Sequence, residues 1–368
     1  MAKVLVTGGC GFIGSHVVKE LLSRNYEVRI LDALTEQVHG DTVLRMAEGT
    51  ELRKADIRDV PAIKEALIDI DAVIHLAAEV GVGQSMYEIA RYVGVNDLGT
   101  AVLLQTMIDT PVRKIVVASS MSVYGEGLYE TETGARVGDA HREAVDIRAG
   151  RWDPLASNRT PLRPVATDER KPVDLASIYA LTKYAQERQV LLFGQAYGVE
   201  AVALRLFNVY GAGQALSNPY TGVLANFASR LANGQSPIVF EDGRQQRDFV
   251  HVRDVARAFR LALERPEAAG CVINVGSGQA FGIAEIASML ARAMGVPEIE
   301  PQILCKARSG DIRNCFADIH RARALIGFEP THRLENSLAE FASWVRSVGA
   351  IDRSAEMKRN LEERGLVI

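Results

Sequence analysis

Cysteine is scarce in this chain: Cys10, Cys271, Cys305 and Cys315 are the only four among 368 residues, and they are scattered. That spacing supplies neither a disulfide framework nor a set of metal ligands, so no metal is expected and a reduced, cytoplasmic setting is. Long apolar runs are missing too; none approaches the length needed to span a bilayer. Glycines interrupt the opening Met1–Thr7 stretch too early for a signal peptide. Nor is there an excess of positive charge, since 42 Lys and Arg stand against 46 Asp and Glu, a formal net charge of −4. That balance argues against a dedicated nucleic-acid binder. What is present is ordinary for a globular protein, with 48% hydrophobic and 24% charged residues. The length suffices for one large domain or two smaller ones sharing an interface.

The first apolar run, Lys3-Val4-Leu5-Val6-Thr7, reads as a buried strand. Gly8-Gly9-Cys10-Gly11-Phe12-Ile13-Gly14 follows it and opens a helix predicted over Ser15 to Ser23. Strand, glycine turn and helix in succession suit a dinucleotide: Gly8, Gly11 and Gly14 allow a tight turn, a close approach to a pyrophosphate and helix–strand packing. The helix N-terminus then offers free N–H groups and a positive dipole end to the phosphates. A second strand, Glu27–Leu31, ends at Asp32. An acid there accepts hydrogen bonds from both ribose hydroxyls and repels a 2′-phosphate, which favours NAD over NADP.

The alternation continues through a weak strand at Leu52–Ala55, a helix over Val60–Leu67 and a strand at Ala72–Leu76. A helix around Asn96 to Ile108 and a buried strand at Lys114–Ala118 follow. Such alternation means a parallel sheet covered on both faces, with ligands beyond the carboxyl ends of its strands. Asp32, Asp56, Ala77 and Ser119-Ser120 all fall at such ends. Further on, Tyr179-Ala180-Leu181-Thr182-Lys183 puts a tyrosine and a lysine on one helical face. An ammonium beside the phenol would favour its ionised form, and a phenolate can take a proton from an alcohol.

Gly8-x-x-Gly11-x-x-Gly14, Asp32, Ser119-Ser120-Met121-Ser122-Val123-Tyr124-Gly125 and Tyr179-x-x-x-Lys183, in this order, resemble the extended short-chain dehydrogenase/reductases. The likeness is to their nucleotide-sugar epimerase/dehydratase branch and runs to about Val348. It implies an α/β fold: a Rossmann-type doubly wound parallel sheet with a smaller, discontinuous α/β substrate-binding domain. The NAD-binding part would span residues 1–206 and the substrate-binding part mainly 207–350, with a return to the first near 250–275 and a tail over 351–368. Ser120, Tyr179 and Lys183 would be catalytic, Ser120 on the reacting hydroxyl, Tyr179 as acid/base and Lys183 on the nicotinamide ribose. Phe12 and Ile13 with the glycines, Asp56 and Ile57, Leu76, Ala77 and Ala78, Asn96 and Phe207 would border NAD.

The substrate would meet Ser120, Ser122, Asn208 in Phe207-Asn208-Val209-Tyr210-Gly211, and Val223. Arg247 of Arg247-Asp248-Phe249 and Arg308 of Arg308-Ser309-Gly310-Asp311 would grip its diphosphate, with Asp311 beside them. Cys315 would border the sugar, a small residue leaving room for a bulky substituent. The helix from Tyr179 to Tyr197 and the one after Asn96 would pair with their copies in a homodimer. One departure stands out: Ser120 and Tyr179 lie 179 − 120 = 59 positions apart, much farther than such epimerases usually have. The extra stretch, about 126–172, shows little periodicity and would sit near the site mouth as a lid, an oligomer contact or a surface insertion.

The resemblance also narrows the reaction. No carboxylate follows Ser120 where dehydratases carry an Asp-Glu pair, and Ser122 stands where decarboxylases carry a glutamate. That leaves 4-epimerisation through a 4-keto sugar, or one-way reduction of such a sugar. The long interval, with Arg151-Trp152-Asp153-Pro154, resembles epimerases of thymidine diphosphate 6-deoxysugars such as rhamnose. UDP-hexose and UDP-N-acetylhexosamine epimerases share the other motifs, and a non-catalytic dinucleotide binder is a further alternative.

Overall fold

The computed structural model describes residues 2–39, 48–216, 222–307 and 311–348, together with 359, 363 and 364. Its centre is a seven-stranded, all-parallel sheet. In chain order the strands are β1 (Lys3–Thr7), β2 (Glu27–Asp32), β3 (Thr50–Lys54), β4 (Ala72–His75), β5 (Lys114–Ser120), β6 (Glu200–Leu206) and β7 (Val272–Val275). In space the order is β7-β6-β5-β4-β1-β2-β3. The inner strands are near-continuous apolar runs because both of their faces are covered. Side chains alternate across the pleat, and two separate cores result. Val4, Val6, Val28, Ile30, Val116, Val202 and Leu204 pack under helices Phe12–Leu22 and Val252–Glu264. Leu5, Leu31, Val73, Ile115, Val117 and Ala203 pack under Val60–Ala66, Gly99–Asp109 and Ile178–Tyr197.

The expected helix around Asn96 begins differently. A π-helical stretch, Val93–Leu98, precedes the α-helix Gly99–Asp109 and turns Asn96 fully inward. A third core joins helices Val223–Ala232, Ile283–Met294 and Leu334–Val348 through Leu224, Phe227, Ile286, Leu290, Leu338 and Phe341. Beside it the short strands Gln246–Arg247, Phe281–Gly282 and Asn314–Cys315 form a three-stranded sheet, with Arg247 opposite Cys315.

The stretch 126–172 is structured despite its lack of periodicity. Leu128–Glu130 runs antiparallel to both Arg136–Val137 and Arg163–Val165, a short helix covers Ala144–Arg148, and Thr167 bridges to Ala317. Among the described residues no helix is long and apolar enough to cross a membrane.

Candidate active site

The glycine turn after β1 is a cradle that side chains would fill. Gly8 sits at φ +69°, and a Cβ on it would come within 2.8 Å of the Ala77 amide nitrogen. A Cβ on Gly14 would lie 2.1 Å from the Gly8 carbonyl oxygen, so helix and turn touch backbone to backbone. At the end of β2 the Asp32 carboxylate accepts the N–H groups of Cys10 and Leu34, both at 2.9 Å. Each carboxylate oxygen can accept more than one donor. That carboxylate adds to burial in pushing the Cys10 thiol up to about 12.

A cavity of about 760 Å³ extends from this turn across the carboxyl ends of the strands. Gly8, Gly11, Phe12, Ile13, Gly14 and Asp32 form one end of its wall, and Asp56, Ile57, Leu76, Ala77 and Ala78 its flank. Ser120, Tyr179, Lys183, Phe207, Asn208 and Val223 line the rest. Arg58 also lines it and was missed in the sequence; its fork grips Asp56 at 2.8 and 2.7 Å and holds that carboxyl below the usual range. The Asp-x-Arg spacing after β3 was the available signal.

Ser177 caps the helix that carries Tyr179 and Lys183, accepting the Ala180 N–H at 3.1 Å. Ser120, the last residue of β5, accepts from the amide and the hydroxyl of Ser122 at 3.1 and 3.0 Å. Burial pushes the Tyr179 phenol up, and the Ser120 hydroxyl pulls it back. The Lys183 Nζ donates to Gln186 Oε1 at 2.5 Å, one turn along the same helix. Burial draws Lys183 down to about 7, and Glu187 opposes that shift. Gln186 is itself held by a donation to Thr100 at 2.8 Å and lies 3.3 Å from His75 Nε2. His75 Nδ1 meets the Thr7 hydroxyl at 2.7 Å, and burial beside Lys183 lowers it to about 3. Gln186, Thr100 and His75 thus seat the lysine. No motif marked Gln186; only its place one turn past Lys183 could have done so.

Five expected site residues lie off the cavity wall. Asn96, fully buried, joins the Glu79 backbone to Thr182: it accepts the Glu79 N–H at 2.7 Å and donates to the Glu79 carbonyl and the Thr182 hydroxyl, both at 3.0 Å. It therefore ties the turn at Glu79 to the helix Ile178–Tyr197 that carries Tyr179 and Lys183. Ser122 touches Ser120 through its amide and hydroxyl. Cys315 is 1% exposed, packed with Met121, Tyr124, Phe207 and Ala317. The Asp311 carbonyl accepts from Arg142 at 2.6 Å. Arg247 donates to the carbonyls of Gln246 and Arg313 at 2.9 Å and of Ile312 at 2.6 Å. Arg308 lies outside the described residues.

A doubly wound parallel sheet with a glycine cradle, a ribose-type aspartate and Ser, Tyr and Lys on one cavity wall defines an extended short-chain dehydrogenase/reductase. The sequence profile of the NAD dependent epimerase/dehydratase family matches residues 4–143 and 156–276, and the chain belongs to that family. A dTDP-L-rhamnose 4-epimerase of Burkholderia thailandensis is 37% identical over 350 residues, 93% of this chain and 94% of that one. The crystal structure of a UDP-glucuronic acid 4-epimerase from Bacillus cereus, with UDP-glucuronic acid and NAD, is 27% identical with a TM-score of 0.78, over 94% of this chain and 100% of that one. The UDP-glucose 4-epimerase of Thermus thermophilus, solved with NAD, is 29% identical with a TM-score of 0.74, over 94% and 100%. The cofactor is NAD, and the cradle and Asp32 fit it.

Proposed function

We propose that this enzyme is a nucleotide-sugar 4-epimerase acting on dTDP-L-rhamnose or its C4 epimer. The observation that carries the reading is the meeting of Ser120, Tyr179 and Lys183 on the wall that also holds the glycine cradle, with Met121, Ser122, Val123 and Tyr124 after the serine. Elimination needs an additional acid/base beside Ser120, and this segment has none. The nearest following acid, Glu126, is engaged by Arg142 and by two backbone amides.

NAD supplies reversible acceptance of the C4 hydride. Tyr179 takes the proton of the C4 hydroxyl and later returns it, a task suited to a group positioned at hydrogen-bond reach. Ser120 orients that hydroxyl, and Lys183 brings positive charge to the site. Arg247 and Arg308 hold the diphosphate while the 4-keto sugar turns over to present its other face. Arg247 suits this role because backbone carbonyls anchor its guanidinium. Carbonyl acceptors fix the planar fork in one orientation, which suits it to phosphate oxygens, while Asp311, Glu126 and Glu241 act on its charge from nearby.

The test is a panel of dTDP-, UDP- and GDP-sugars, followed by NMR for inversion at C4 without added nicotinamide. Turnover of dTDP-L-rhamnose ahead of the UDP-hexoses is expected, and denatured protein should release NAD or NADH. A stoichiometric demand for NAD(P)H would turn the reading to a 4-ketoreductase. A homodimer belongs to the same reading, through the helices Gly99–Asp109 and Ile178–Tyr197, which leave Ile108, Leu181 and Leu192 exposed, beside Leu98 at the end of the π-helical stretch. Four unpaired cysteines suit a reducing cytoplasm.

A further inference from the structure

Between the 126–172 insertion and the substrate-binding part lies a buried ionic cluster that the reaction does not use. Glu126, 6% exposed, accepts the backbone N–H of Arg313 at 2.7 Å and of Asn314 at 3.2 Å, and the Tyr129 hydroxyl at 2.8 Å. Arg142 reaches Glu126 at 3.0 Å, Glu241 at 2.6 Å and the Asp311 carbonyl at 2.6 Å. Arg313 completes the cluster, meeting Asp153 at 2.8 Å, Glu241 at 3.0 Å and Asp242 at 2.6 Å. Both arginine side chains and Glu241 are almost wholly excluded from water.

The backbone of residues 311–314 is therefore gripped from two sides. From the insertion, Glu126 takes the amides of 313 and 314, and Arg142 donates to the carbonyl of 311. From the other side Arg247 donates to the carbonyls of 312 and 313 and pairs in register with Cys315. Carbonyls fixed on one face fix the fork that binds them on the other. A buried charged network with all of its members partnered is rigid, because loosening any one of them exposes an unpaired charge.

We propose that the 126–172 insertion serves the substrate site at second hand, and that its Glu126 and Arg142 are positioning residues that set the Arg247 guanidinium through the 311–314 backbone. The proposal rests on the reading of Arg247 as a diphosphate contact. A plain scaffold would hold the fold and leave nucleotide affinity alone; this arrangement couples the two.

The test uses NAD-loaded enzyme titrated with dTDP and UDP, the tighter of the two serving as probe. The variants are Arg247→Ala, Arg142→Met, Glu126→Gln and the Arg142→Met/Arg247→Ala pair, with Arg142→Lys as the milder change should Arg142→Met not fold. Loss of an indirectly held charge-assisted contact should weaken the probe about tenfold in Arg142→Met. KM should rise more than kcat falls, and the double variant should bind scarcely worse than Arg247→Ala alone, since one contact is then lost by two routes. Wild-type affinity in Arg142→Met, Arg142→Lys and Glu126→Gln beside a weakened Arg247→Ala would overturn the positioning role. Simple additivity in the double variant would do the same. Unchanged affinity in Arg247→Ala would remove the diphosphate reading itself, and this proposal with it.

Discussion

Tyr179 and Lys183 carry opposite burdens. In the proposed reaction the phenol gives and takes a proton, yet burial pushes its pKa up, and the ammonium brings charge, yet burial draws it down to about 7. Tyr179→Phe should retain NAD and the fold while losing a factor of about 10² to 10⁴ in epimerisation, the usual worth of a general acid/base; NMR inversion assays on protein of measured NAD content check it. Lys183 gives a pH-dependent prediction. Its folded pKa of about 7 lies below the ordinary 10.5, so between these two values the unfolded chain binds the extra proton and stability rises with pH. Below the folded value both states are protonated and the cost of burying the charge is fully present. Lys183→Met, compared after NAD removal, should therefore melt above the wild type at about pH 6.5, with the gap closing towards about pH 10; an equal or lower melting temperature at the acid end contradicts this. A sequence reading puts the lysine beside the tyrosine because both share a face, and it cannot see that Gln186 offers a carbonyl oxygen on that face one turn further on. Cys315 shows the same limit, since nothing in its neighbours along the chain tells a pocket rim from the packed cluster around Phe207.

Secondary-structure elements differ sharply in how far the sequence discloses them. β1, β2, β4 and β5 are runs of Val, Ile and Leu buried on both faces, and a doubly wound sheet follows from them almost directly. The strands of the insertion are two or three residues long, with no room for a period. What anchors this region is ionic, with partners such as Asp153 and Arg313 that lie 160 positions apart. Arg308, central to the diphosphate reading, falls outside the described residues. The turn between β1 and its helix makes the firmest prediction at this scale. A methyl on Gly14 would overlap the Gly8 carbonyl, so Gly14→Ala must part helix from turn. We expect a loss of about 1–3 kcal/mol, as for other overpacked sites, and protein purified without NAD, read by denaturant unfolding and cofactor analysis.

For the whole molecule, the exposed apolar residues on two neighbouring helices give the proposed dimer its test. Leu192, 53% exposed on Ile178–Tyr197, becomes a buried charge in Leu192→Glu if the helices pair, and light scattering should then report a monomer; an unchanged mass would place the contact elsewhere. The order of the chain bears on its birth as well. β7 closes the sheet beside β6 only after 272–275 have been made, and helix Val252–Glu264, which covers Val116, Val202 and Leu204, also comes late. A nascent chain that has just delivered Tyr179 and Lys183 to the ribosome exit therefore shows a bare apolar sheet face and an unpaired strand edge, the surfaces on which growing polypeptides aggregate. The Glu126 carboxylate waits longer still, because the amides it receives, those of Arg313 and Asn314, follow β7 in the chain. Translation thus supplies the partners of Glu126 only after Tyr179 and Lys183 have been made, and a message cut short before the codon for Arg313 would leave that carboxylate without its amides and the third core without Leu338 and Phe341.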